Sequence, residues 1–192
     1  MKKYTLIGIA LFLALLLGAA LLLRGGGPAR PANLPTGGDF ILQTVDGPFD
    51  TKTERGKVLL VYFGYTNCPD ICPASLAAGG QALNALTPEE RAKVRLLMIS
   101  VDPERDSLQH LKEYTGFFHP NMLGATGTPA EIGKIAGSFG AGYVKQAARA
   151  DGSYAVDHTV STYVVGPDGK LAAVLDLGVT TDKLLASIRQ LL

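Results

Sequence analysis

Cysteine is scarce in this 192-residue sequence, which holds two, and histidine is nearly as rare, with three. A secreted disulfide scaffold would spread more cysteines along the chain. Two neighbouring thiols in an otherwise cysteine-free chain point instead to a site, with a small structural disulfide as the alternative. An imbalance of charge is also missing. The formal net charge is +1 and no basic cluster occurs, so nothing draws the chain toward nucleic acid. No internal repeat is present. What remains is 47% apolar residues and an ordinary charged fraction, enough for one domain with a real core. The 23 glycines and 11 prolines suit a loop-rich α/β domain with a flexible leader.

Lys2 and Lys3 precede an uncharged run from Tyr4 to Leu23. As a helix rising about 1.5 Å per residue, it would reach about 30 Å, the thickness of a bilayer core. Gly18 and Ala20 offer a small-residue cleavage site, but three more leucines follow before Arg24 ends the run. That length favours a retained transmembrane anchor over residues 1–23 rather than a cleaved secretory peptide. Lys2 and Lys3 predict a cytoplasmic N-terminus, with the remaining chain on the extracytoplasmic (periplasmic) side of the cell membrane. Arg24 and Arg30, on the opposite flank, weigh against that orientation. Residues 24–38 are rich in glycine and proline and read as a tether. The domain itself is expected over 39–192.

Within it, Asp46-Gly47-Pro48 marks a turn between short extended pieces, and Lys57 to Phe63 reads as a strand buried on both faces. A loop from Gly64 to Cys72 leads to a helix predicted over Pro73 to Leu86, with proline at its first position. Thr87 caps a short helix, Val94 to Val101 is a second buried strand, and Ser107 caps a helix to Phe117. Thr128-Pro129 opens another helix through Phe139. Thr159 to Val165 and Lys170 to Asp176 flank Pro167-Asp168-Gly169 as a hairpin, and a last helix follows from Thr181 to Leu191. Strands alternating with helices, ending in a hairpin and a helix, predict an α/β domain with a mixed central sheet flanked by helices. The order fits a thioredoxin-like fold with insertions.

Cys68-Pro69-Asp70-Ile71-Cys72 lies between a buried strand and a helix N-terminus. Unpaired N–H groups and the helix dipole there favour thiolate, the form that attacks disulfides and binds soft metals. Both chemistries are served equally at this point. Three residues between the cysteines, rather than two, let both sulfurs face one ion. Two thiolates select Cu(I) or contribute to a zinc site, and a third donor is then wanted. His158, in Val156-Asp157-His158-Thr159 before a strand, is the best candidate. In thioredoxin folds that segment faces the active cysteines and normally carries a proline, which is missing here. A structural histidine bonded to backbone is the alternative. His110 reads as solvated and His119 as structural, while Met98 belongs to the core. No acid or base accompanies the thiols to suggest zinc catalysis. A thiol peroxidase wants a different threonine spacing from that of Thr66 and Cys68, and a cation beside the thiol.

The run from Val61 to Pro73, the block Ser100-Val101-Asp102-Pro103-Glu104-Arg105-Asp106, and Val156 to Thr159 followed by Gly166-Pro167-Asp168-Gly169 together resemble the SCO/SenC family. The similarity covers residues 39–192, and the three blocks occur in the family's order. The resemblance implies a thioredoxin-like copper-binding protein that assists assembly of the binuclear copper centre of cytochrome c oxidase subunit II. It implies copper ligation by Cys68, Cys72 and His158, a minor role for Asp70, and fold-supporting roles for Asp102 and Asp106. Expected partners are that oxidase subunit and either another copper chaperone or a thioredoxin-like reductant. The competing function is a thiol–disulfide reductase that keeps the oxidase's copper-ligand cysteines reduced. It would need only Cys68 and Cys72.

Overall fold

The structure, a computed structural model, describes residues 34–192. The anchor expected over 1–23 and most of the tether lie outside the described residues. The described end of the tether stretch is docked on the domain: the Gly37 N–H donates to the Ser138 carbonyl at 2.8 Å, and Leu34 packs against the core.

A hairpin of β1 (Ile41–Thr44) and β2 (Gly47–Asp50) opens the domain, turning at the expected Asp46-Gly47. The strand expected from Lys57 becomes β3 (Val58–Gly64), seven residues buried on both faces. On one side it pairs with β4 (Val94–Ser100), followed by β5 (Met122–Ala125), both parallel to it; on the other it pairs with antiparallel β8 (Thr162–Val165), which pairs antiparallel in turn with β9 (Leu171–Leu175). The five-stranded sheet is therefore mixed, in the order β5-β4-β3-β8-β9. Helices α1 (Ile71–Asn84), α2 (Pro88–Arg91), α3 (Leu108–Phe118), α4 (Pro129–Ser138) and α5 (Thr181–Arg189) complete it. Capping residues fix several starts: Thr87 and Thr128 form capping boxes with Glu90 and Glu131, and Ser107 accepts from the His110 N–H.

Helix α1 begins two residues earlier than expected, so Cys72 sits in its first turn rather than in the preceding loop. The first four N–H groups of a helix have no partner within it, so proline is tolerated anywhere in that turn. The first internal bond here comes from the Ala74 N–H to the Asp70 carbonyl, one residue past Pro73. Three strands escape the sequence pattern. One is β5; the others, β6 (Tyr143–Lys145) and β7 (Val156–His158), pair antiparallel as a separate ribbon.

The register fixes which end of the sheet carries chemistry. β3 ends at Gly64, opposite Ser100 of β4, and Tyr62 of β3 pairs with Thr162, the first residue of β8. Because β8 runs antiparallel, the chain entering it lies at the same end as the loop leaving β3. Residues 64–72 and 158–161 must therefore meet.

Candidate metal centre

They do meet. One ligand-capable atom from each of Cys68, Cys72 and His158 lies within 4.8 Å of the others. Cys72 Sγ is 3.4 Å from His158 Nε2. The two thiols are free rather than joined. Cys68 ends the loop side of the site with 9% of its surface exposed, whereas Cys72 is fully enclosed. His158 is half-buried at the end of β7, and its Nδ1 lies 3.0 Å from the Thr159 carbonyl. A carbonyl only accepts, so Nδ1 carries the proton and Nε2 presents a lone pair to the sulfurs. The backbone bond proposed for a purely structural histidine thus exists, but it uses the nitrogen remote from the cysteines.

Burial sets the proton inventory. It holds His158 below the ordinary histidine range, which favours the neutral, ligating ring. The helix N-terminus predicts a lowered thiol pKa, yet burial pushes the Cys72 thiol up to about 12, with the neighbouring Cys68 adding to the rise. A backbone hydrogen bond from Tyr65 opposes this and only partly offsets it. Desolvation wins over dipole because a thiolate enclosed by protein has lost its water. A soft cation can supply the missing compensation. Three donors at about 2.2 Å from one ion stand about 3.8 Å apart, so the observed cluster needs only small adjustments to hold one.

Several supporting residues were not identified as such from the sequence. Gly64 permits the close approach of Cys72: a Cβ there would lie 2.9 Å from its Sγ and 2.8 Å from the Tyr62 ring. The Tyr62 hydroxyl donates toward Cys72 Sγ at 3.7 Å. Tyr62 and Tyr65 both meet the His158 ring edge-on, with centroids 6.1 and 5.8 Å away. The aromatic residues of Val61 to Tyr65 were the available signal, since alternating side chains of a strand end must face the helix that follows.

Asp106 braces the cysteine loop. Its carboxylate accepts from the Thr66 N–H at 3.0 Å, the Thr66 hydroxyl at 2.5 Å and the Ser100 hydroxyl at 2.6 Å. Asp102 pairs with Arg105 and accepts from the Tyr154 hydroxyl at 2.8 Å. Both acids support the fold, as expected, and neither joins the donor cluster. Asp70 occupies the cap position of α1, exposed and without a side-chain capping bond, and also stands outside the cluster. His110 is exposed. His119 is buried, with Nδ1 accepting the Asn121 N–H, and Met98 is core.

Comparison with known proteins agrees with this geometry. The SCO1/SenC family model matches residues 28–192. The mitochondrial SCO1 homolog 1 of Arabidopsis thaliana is 38% identical over 159 residues, covering 80% of this chain and 47% of that protein. The chain spans about half the length of the mitochondrial SCO1 relatives it matches. Among solved structures, apo Sco1 from Thermus thermophilus superposes with a TM-score of 0.76 at 37% identity, covering 85% of this chain and 95% of that one. Copper-bound ScoI from Bradyrhizobium japonicum does so with 0.73 at 37% identity, covering 81% and 99%. The chain is a member of the SCO1/SenC family, with its thioredoxin-like α/β fold.

Proposed function

We propose that this protein carries copper as cargo, held by Cys68, Cys72 and His158, for assembly of the binuclear copper centre of cytochrome c oxidase subunit II. The observation that carries the reading is the convergence of two sulfurs and an imidazole nitrogen within 4.8 Å. This soft, three-donor set suits Cu(I), and three-coordination leaves room for an incoming ligand during transfer. A copper-bound relative of the same fold supports it. Residues 1–23 would tether the domain to the extracytoplasmic face of the cell membrane, and 24–33 would give it reach toward a membrane-bound oxidase. Copper would arrive from another chaperone, onto thiols kept reduced by a thioredoxin-like donor. The test is a Cu(I) competition titration of the reduced full chain and of His158→Ala against a chelator of known affinity. Loss of the outer partners of metal ligands alone costs about 10–100-fold in affinity, so removing this donor should cost at least that. Equal affinities would remove His158 from the site.

A second reading draws on the unequal exposure of the thiols. Cys68 lies at the rim with Cys72 enclosed behind it, an arrangement suited to attack by the first sulfur and resolution by the second. As a thiol–disulfide reductase the protein would reduce oxidised copper-ligand cysteines of the oxidase subunit without copper. Turnover unaffected by His158→Ala would favour this reading over the carrier.

A further inference from the structure

His158 sits on the ribbon of β6 and β7, which shares no strand pairing with the central sheet among the described residues. Its position over the cysteines must therefore be fixed by other contacts. Toward the turn that joins the ribbon's two strands, four residues before His158, Tyr154 is gripped by the turn that follows β4. The Arg105 Nη1 donates to the Tyr154 carbonyl at 2.9 Å, and the Arg105 guanidinium lies 3.6 Å from the centre of the Tyr154 ring. Asp102, buried, pairs with the Arg105 Nε and accepts from the Tyr154 hydroxyl at 2.8 Å, closing a ring of contacts. The same guanidinium lies 5.5 Å from the centre of the Tyr65 ring, and Tyr65 meets the His158 ring edge-on. Arg105 thus touches the histidine's own segment and the aromatic residue that abuts its ring, from a turn anchored to the central sheet.

We propose that Arg105 is a positioning residue for His158, clasping the histidine-bearing ribbon onto the cysteine loop. The proposal rests on the carrier reading above for its consequence in copper release, but its geometric content stands apart from it. A planar, five-donor guanidinium can bond a carboxylate and a carbonyl in its plane while stacking on a ring face. Lysine offers no such plane, so Arg105→Lys should fail to replace it.

The test compares the full chain, Arg105→Gln, His158→Ala and the double variant. In the metal-free reduced proteins, proton–proton proximity between the Tyr65 and His158 rings is followed by NMR. The cross-peaks should weaken or vanish in Arg105→Gln and in Arg105→Lys. Should the arginine variants unfold, Tyr154→Leu removes the stacked ring and its hydroxyl from the ribbon side and should have the same effect. Persistence of these cross-peaks in the folded variants overturns the proposal, whatever copper does. In the Cu(I)-loaded proteins, release to a chelator should quicken about tenfold in Arg105→Gln, the scale expected for losing an outer partner of a metal ligand. The same substitution should change nothing further in the His158→Ala background. Equal acceleration in both backgrounds contradicts positioning through His158. Unchanged release in His158→Ala alone, with the two rings apart in Arg105→Gln, would overturn the carrier reading and leave the clasp standing.

Discussion

Cys72 Sγ and His158 Nε2 stand 3.4 Å apart although 86 residues separate them in the chain. The approach follows from strand order. β8 returns antiparallel beside β3, so the segment before it ends where the cysteine loop begins. Neither residue is free to ionise at neutral pH: burial keeps Cys72 protonated, with a pKa of about 12, and keeps the imidazole neutral.

Copper uptake should therefore displace protons. Cys72 must lose its proton to ligate, and His158 has none to lose at Nε2. Between about pH 7 and pH 9, below the Cys72 value, the apparent Cu(I) affinity should rise about tenfold per pH unit for each proton displaced. Calorimetry in buffers of different ionisation enthalpy counts those protons directly. An affinity flat across this range would mean that Cys72 is already a thiolate, or is not a ligand.

Gly64→Ala should move the Cys72 sulfur. The added methyl would sit 2.9 Å from Sγ and 2.8 Å from the enclosed Tyr62 ring, so a core cost of about 1–3 kcal/mol is expected, with weaker copper binding. Gly137→Ala is the control. It lies in α4 with open space around it and should stabilise by about 0.5–1 kcal/mol. Denaturant titrations of the two variants should shift in opposite directions.

Asp106→Ala leaves three donors, Thr66 N–H, Thr66 hydroxyl and Ser100 hydroxyl, without their acceptor in a site that is 1% exposed. A loss of about 3 kcal/mol is expected from equilibrium unfolding in urea. Asp106→Asn keeps one acceptor oxygen and should cost less. Equal stability of the wild type and the alanine variant would show that the loop does not depend on this brace.

Stability should fall on mild acidification. Burial, aided by Arg91, holds His119 below 6.5, and His158 is lowered by burial too. Below about pH 6.5 the unfolded chain binds protons at these positions that the folded chain refuses, so stability rises with pH there and levels off above. Each histidine can contribute at most about 1.4 kcal/mol per pH unit in that window. His119→Asn, which still offers an oxygen to the Asn121 N–H, should flatten the slope between pH 7.5 and 5.5. An unchanged slope would contradict the assignment to His119.

The parts of this fold legible in the sequence are those that local chemistry specifies. Thr87, Ser107 and Thr128 cap helices where their side chains accept from the backbone N–H three residues on. The apolar run of β3 reads as a buried strand because nothing in it wants water. The cysteine pair and His158 were legible because so few residues of their kinds compete. β5 was not, since Met122-Leu123-Gly124-Ala125 is short and its glycine serves a distant need: a Cβ there would press on Leu111 at 2.7 Å. The β6–β7 ribbon was hidden for a related reason. Its strands expose Val144, Lys145 and Asp157, and part of its attachment comes from Arg105, 49 residues away from Tyr154. Lowered thiol pKa was the expectation from helix position alone, because enclosure of Cys72 is a property of the whole core.

X-ray absorption of the reduced full chain loaded with one Cu(I) tests the central claim most directly. Two sulfur donors and one nitrogen donor should appear, with the nitrogen lost in His158→Ala. A sulfur-only shell, unchanged by that substitution, would contradict the three-donor account.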